Sequence, residues 1–195
     1  MAKKLQTAYY MEKSKGLNDE ELFNENFIKS GTMKETNVID HLGLIPYAGK
    51  HKRDATSHCG RHIEIKSMSL GTNKSGNIKS FEVAFSAISY KTYARMIDNN
   101  ELVVHGYYNK ADLVAIICHD FKDIAKGYLH ALETKGEGAG FTLTIGKFKG
   151  CSELVYLTKD KKLFPNYINK SNLIWLNSLK KTNKKYLKMK QLKQS

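Results

Sequence analysis

Five consecutive apolar residues, Leu113-Val114-Ala115-Ile116-Ile117, constrain the fold more than any other stretch of the chain. A short run with no polar interruption has no wet face, so it is expected as a central strand buried on both sides. Such a strand needs a layer on each face of its sheet. With 195 residues the chain is long enough for one sizeable core but not for a second full domain.

The rest of the sequence supplies those layers. Asn18-Asp19-Glu20-Glu21 reads as a capped, acidic helix start, with Leu22, Phe23 and Phe27 as an apolar face to about Ser30 and Gly31 as its stop. A second short helix is expected over 36–42, then strand, loop and strand over 44–66, and a Gly/Ser/Asn/Lys-rich loop over 70–78 placed to reach a nucleic-acid backbone. Phe81, Ala84, Phe85, Ile88 and Met96 follow helical spacing from Ser80 to about Asn99. Strands are expected over 102–105 and 111–118, a helix over 124–132, strands over 141–145 and 153–157, and a helix over 173–179. The fold class is therefore α/β (α+β), a central mixed β-sheet flanked by helices. A single domain is expected over 1–179, with a basic tail over 180–195 that includes Lys184, Lys185 and Lys188.

One segment carries chemistry. Residues 54–66 read Asp-Ala-Thr-Ser-His-Cys-Gly-Arg-His-Ile-Glu-Ile-Lys. The alternation Ile63-Glu64-Ile65-Lys66 places Glu64 and Lys66 on one face of a strand and two isoleucines on the other. Gly60 marks a turn, and an antiparallel hairpin through it brings Asp54 beside Glu64. Two carboxylates and an ammonium at one point suit a divalent cation held against a phosphodiester. Magnesium takes oxygen ligands, keeps several waters and is usually held by one or two carboxylates plus substrate phosphate. Asp54 and Glu64 supply the carboxylates, the Ile65 carbonyl a third oxygen, and Lys66 a group to orient or deprotonate water or to stabilise the pentacovalent phosphate.

Asp54, nine intervening residues, then Glu64-Ile65-Lys66 resembles the PD-(D/E)XK nuclease superfamily, which includes most type II restriction endonucleases and several recombination and repair nucleases. The chain departs from the motif in having Arg53 where proline gives the family its name. The resemblance implies a restriction-endonuclease-like fold with Asp54 and Glu64 as Mg²⁺ ligands, Mn²⁺ able to substitute, and Lys66 assisting the water. It also implies that an N-terminal helix can add an acidic residue, here Glu25 or Glu35. The expected activity is a site-specific, type II restriction-like endonuclease on double-stranded DNA. Cutting both strands of a palindrome implies a homodimer. The alternatives are a structure-directed phage or repair nuclease and a non-catalytic basic nucleic-acid-binding protein.

Charge agrees with a polyanionic partner: 32 Lys+Arg against 19 Asp+Glu give a formal +13. Lys74, Lys79, Lys91, Arg95 and Lys110 are the candidate DNA contacts, with Tyr90, Tyr93, Tyr107 and Tyr108 as aromatic neighbours in a groove. Three widely spaced cysteines, Cys59, Cys118 and Cys151, and no CxxC pair point to a reducing cytoplasm rather than a disulfide framework. No segment approaches the roughly 20 apolar residues of a membrane span, and the opening residues lack an apolar h-region. No membrane partner or small-molecule cofactor is expected. His58, Cys59, His62 and Cys118-His119 are weaker zinc candidates because their spacing fits no finger pattern. His41 is a poor candidate for a ββα-metal histidine. The glycines at 136, 138 and 140 lack the Gly-Lys-Ser/Thr of a nucleotide loop and suit a tight turn or a close approach to DNA.

Overall fold

A computed structural model describes residues 30–47, 54–71, 82–144, 152–160 and 180–181. Within them run α1 (Gly31–Leu42), β1 (Ile45–Pro46), β2 (Ala55–Thr56), β3 (His62–Ser69), β4 (Glu82–Phe85), α2 (Tyr90–Asp98), β5 (Leu102–Asn109), β6 (Asp112–Asp120), α3 (Phe121–Lys135), β7 (Phe141–Thr144), β8 (Glu153–Leu157) and β9 (Lys180–Lys181).

Seven of these strands form one mixed sheet in the order β1-β2-β3-β5-β6-β8-β9. Neighbours are antiparallel except β3 with β5 and β8 with β9. The apolar run at 113–117 lies in β6, an interior strand buried from Val114 to His119. Helix α1 covers one face, packing Val38 and Ile39 with Ile63, Ile65, Val104 and Ile116. On the other face Met96 of α2 and Phe121, Ile124 and Tyr128 of α3 pack with Val103, Tyr107 and Ile117. A separate ribbon, β4 with β7, closes over that second face through stacked Phe85 and Phe141, whose centroids are 5.9 Å apart.

Local signals explain where the helices begin and end. Ser30 caps α1, its Oγ accepting from the Met33 N–H at 3.1 Å, and Gly43 ends it with φ 62. Gly31 thus opens this helix. Ser89 caps α2 in the same way, through the Thr92 N–H at 3.1 Å. The expected helix from Ser80 is therefore shorter, and within it Glu82–Phe85 is strand. Phe85 belongs to β4, where pairing with Phe141 of β7 overrides a helical spacing too short to decide between periods.

The expected loop after His105 is also strand. Gly106 is no turn residue: a Cβ there would lie 2.7 Å from Val38 Cγ2, so the glycine lets α1 approach the sheet. The turn comes at Lys110, with φ 53. Lys180 and Lys181 add to the sheet beside β8, so the basic end begins as a strand. The expected helices at 18–30 and 173–179 and the remaining tail, with Lys184, Lys185 and Lys188, lie outside the described residues, apart from Ser30. No helix among the described residues is long and apolar enough to cross a membrane.

Candidate active site

The β2–β3 hairpin sets the site. Ala55 pairs with Ile63, so one step further along β2 places Asp54 across from Glu64. The Asp54 N–H donates to the Ile63 carbonyl at 3.2 Å, and its carboxylate Oδ2 accepts from the Ile65 N–H at 2.6 Å. That bond fixes the carboxylate against β3. A residue's N–H and C=O point to the same side of a strand, so the Ile65 carbonyl faces the side that carries Asp54. Ile63 and Ile65 are fully buried against α1, which aims Glu64 and Lys66 out of the opposite face.

There Lys66 Nζ donates to Glu64 Oε1 at 2.6 Å, and Arg95 Nη2 of α2 donates to Glu64 Oε2 at 3.2 Å. The Glu64 side chain is 15% exposed, Lys66 27% and Arg95 23%. All three line a cleft of about 1390 Å³ together with Asp54, Glu35 and Lys91. Glu35 comes from α1 and lies within Coulombic reach of Glu64 and Lys66. It is thus the helix carboxylate that the cleft contains; Glu25 lies outside the described residues.

The carboxylates strain against one another. Burial, then the Glu64 charge, pushes Asp54 up to about 6, against the opposing pull of the Ile65 N–H and Lys66. Burial also raises Glu35, partly offset by Lys66. The sign of the consequence is fixed by linkage. A folded-state value above the unfolded value of 3.8 means that the folded protein binds this proton more tightly. Asp54 therefore costs nothing below about pH 4, costs progressively more as pH rises through about 6, and costs its full amount above that. Asp54→Asn should gain stability relative to the parent as pH is raised from 4 to 8, because Asn still accepts from Ile65 but carries no charge. Urea midpoints at the two pH values measure this, and a variant whose relative stability falls with rising pH contradicts it.

The other candidates scatter. Lys91 is exposed on α2 at the cleft. Lys110 sits at the β5–β6 turn, roughly 20 Å along β5 from the strand position that pairs with Glu64. Lys74 and Lys79 lie outside the described residues, as does most of the 70–78 loop. Tyr107 and Tyr108 are fully buried core residues and form no groove surface. Tyr93 packs on Phe121 and Tyr128, while Tyr90 is 49% exposed. Alternation along β5 and β6 accounts for the buried tyrosines: residues that read as a loop are interior strand.

The zinc candidates do not converge. His62 lines the cleft, but His58 Nε2 is 2.7 Å from the Gly43 carbonyl and Cys59 Sγ is 3.0 Å from Ser57 Oγ. Cys118 packs on the α1 side, whereas His119 stacks on His105 across the other face with centroids 4.7 Å apart. Burial pushes both imidazoles down, His119 to about 3, so this pair is neutral. His41 is exposed and packs edge-on against Tyr156. The glycines at 136 and 138 have positive φ in a tight turn that docks α2: Glu137 Oε1 accepts from the Tyr90 N–H at 2.8 Å.

One further residue of the site had no sequence signal strong enough to single it out. Glu101, at the end of α2, has a side chain with 0% exposure, and its Oε2 lies 3.4 Å from Arg95 Nη2. Its position three residues past a helix end and just before a strand looks like an ordinary surface loop. Among the described residues no three His, Cys, Asp or Glu side chains form a metal-holding group. No protein-family model matches the sequence, and no curated protein matches it either.

Proposed function

We propose that this protein is a divalent-cation-dependent endonuclease that hydrolyses phosphodiester bonds in double-stranded DNA, with Asp54, Glu64 and Lys66 as its working residues. The observation that carries the reading is the 2.6 Å bond from the Ile65 N–H to Asp54, which brings Asp54, Glu64 and Lys66 together at one cleft. A restriction-endonuclease-like fold fits the order hairpin, helix, then a strand parallel to β3.

The donor set fits magnesium but not a closed cage. Asp54, raised to about 6 by burial and by the Glu64 charge, faces Glu64 across the hairpin, and a divalent cation between them would relieve that repulsion. Among the described residues no three side chains form a metal-holding group, so water and phosphate oxygens would complete the shell, as is usual for Mg²⁺. Asp54, Glu64 and the Ile65 carbonyl are the residues that would hold Mg²⁺ or Mn²⁺. When bound, the cation neutralises phosphate charge and acidifies water.

The chain's own groups do the rest. Lys66 Nζ orients the attacking water and stabilises charge on the pentacovalent phosphate. Its contact with Glu64 also offsets carboxylate repulsion before substrate arrives. Lys91 and Arg95 extend positive charge along the cleft. Cutting both strands requires two such sites, hence a homodimer.

The engagement of both Glu64 oxygens by Lys66 and Arg95 favours a second reading, a basic nucleic-acid-binding protein whose ion pairs are structural. Plasmid and phage DNA incubated with purified protein, in Mg²⁺ and in EDTA, separates the readings. Discrete Mg²⁺-dependent fragments mark a site-specific enzyme, and nicked circles or a smear mark a structure-directed or non-specific one. Intact DNA in every lane, with salt-sensitive binding, leaves the binder.

A further inference from the structure

We infer that Arg95 is the phosphate-receiving arm of this cleft and that buried Glu101 is its positioning residue, the arm exchanging its contact with Glu64 for an oxygen of the phosphodiester. The inference rests on the nuclease reading and assigns the group that grips the substrate.

Glu101 calls for a cation beside it. A carboxylate taken fully out of water costs several kcal/mol unless it is paired. It also follows the C-terminus of α2, the end of a helix that disfavours negative charge. Arg95, one turn earlier on the same helix, offsets both penalties through Nη2 at 3.4 Å, and the Asn99 side chain approaches Glu101 Oε1 at 3.5 Å. The Glu101 backbone is fixed as well: its carbonyl accepts from the Phe121 N–H at 3.0 Å, and its N–H donates to the Met96 carbonyl at 3.0 Å. The carboxylate is thus a rigid anchor within the lining of the cleft.

Arg95 stands on that anchor, partly exposed, and reaches forward to Glu64. The two contacts differ in kind. Glu101 is buried and has nowhere to go, while Glu64 is the carboxylate assigned to the cation. Glu64, once committed to a cation, would hold Arg95 less tightly as a phosphate arrives beside it. A guanidinium then presents a planar fork of donors to two phosphate oxygens, which lysine cannot do. Because Glu101 keeps hold, the arm moves little and is already aimed.

The test uses the full-length protein and a labelled DNA duplex. Binding is measured in Ca²⁺ over a range of salt, and cleavage in Mg²⁺ under single-turnover conditions. Arg95→Met should lower affinity, reduce the salt slope by about one unit, and slow cleavage by about 10²–10³-fold. Arg95→Lys should restore the salt slope but little of the rate, because charge returns without the fork. Glu101→Gln should leave the slope intact and slow cleavage about 10–100-fold through misplacement of the arm. The double variant Arg95→Met, Glu101→Gln leaves no buried charge unpaired, and it replaces Arg95→Met if that protein fails to fold. An unchanged salt slope and rate in the Arg95→Met or double variant overturns the inference, while loss of cleavage in Glu64→Gln would leave the nuclease reading standing. Cleavage that survives Glu64→Gln sinks the nuclease reading itself; the salt slope still reports on the phosphate contact, since binding in Ca²⁺ needs no catalysis.

Discussion

Lys66→Ala should slow DNA cleavage by about 10²–10⁴-fold while duplex binding survives. The fold has reason to tolerate the change. Lys66 is 27% exposed, and Glu64 keeps Arg95 as its second cationic partner. What the variant loses is the donor that sits beside the carboxylates at the cleft. Lys66 also borders a smaller cavity of about 290 Å³ with His105 and Glu82, and its Nζ lies 5.6 Å from the centre of the Phe85 ring. Truncation opens room there and uncovers one side of the Phe85 ring, which keeps its packing on Phe141 and Tyr128. Single-turnover cleavage beside a gel-shift titration measures both halves, and a variant that cuts at the parent rate removes Lys66 from the chemistry.

Phe121→Ala should cost about 3–5 kcal/mol of stability, a large share of what a domain this size has. Phe121 is fully buried at the first turn of α3. Its ring packs edge-on against Tyr128 at 5.3 Å and Tyr93 at 5.9 Å. Tyr93 belongs to α2, so this aromatic cluster joins the two helices on the face that carries Glu64. The cavity left behind would loosen α2 against α3 and, with it, the placement of Arg95. Denaturant unfolding reads the first effect. A loss under 1 kcal/mol would mean that the helices are held by something other than this cluster.

Much of this layering was legible in the residues. The continuous run at 113–117 identified an interior strand, and the period-two alternation at 63–66 separated Glu64 and Lys66 from the isoleucines. Both are strong signals because burial on one face or two leaves different polarity patterns. The apolar spacing from Ser80 pointed to a longer helix than α2, because the pairing of Phe85 with Phe141 depends on a partner 56 residues away. Tyr107 and Tyr108 read as an aromatic groove for the same reason: next to Gly106 they look like a turn, and only α1 packing through Val38 reveals the glycine as a close-contact residue. At the site, Asp54 was reachable from hairpin geometry. Glu35 was reachable only as one of two acids, since no local pattern says which helix face meets the sheet. Glu101 was not reachable at all, because its burial is a property of how α2 lands on β5 and not of its neighbours in sequence.

The central claim is that Asp54 and Glu64 hold one divalent cation between them. Titrating Mn²⁺ into the protein at about pH 8, where Asp54 is ionised, and following the free ion by electron paramagnetic resonance tests it most directly. The account predicts a bound ion in the parent protein and a loss of affinity of about tenfold or more in both Asp54→Asn and Glu64→Gln. Equal Mn²⁺ binding by the parent and both variants would contradict it.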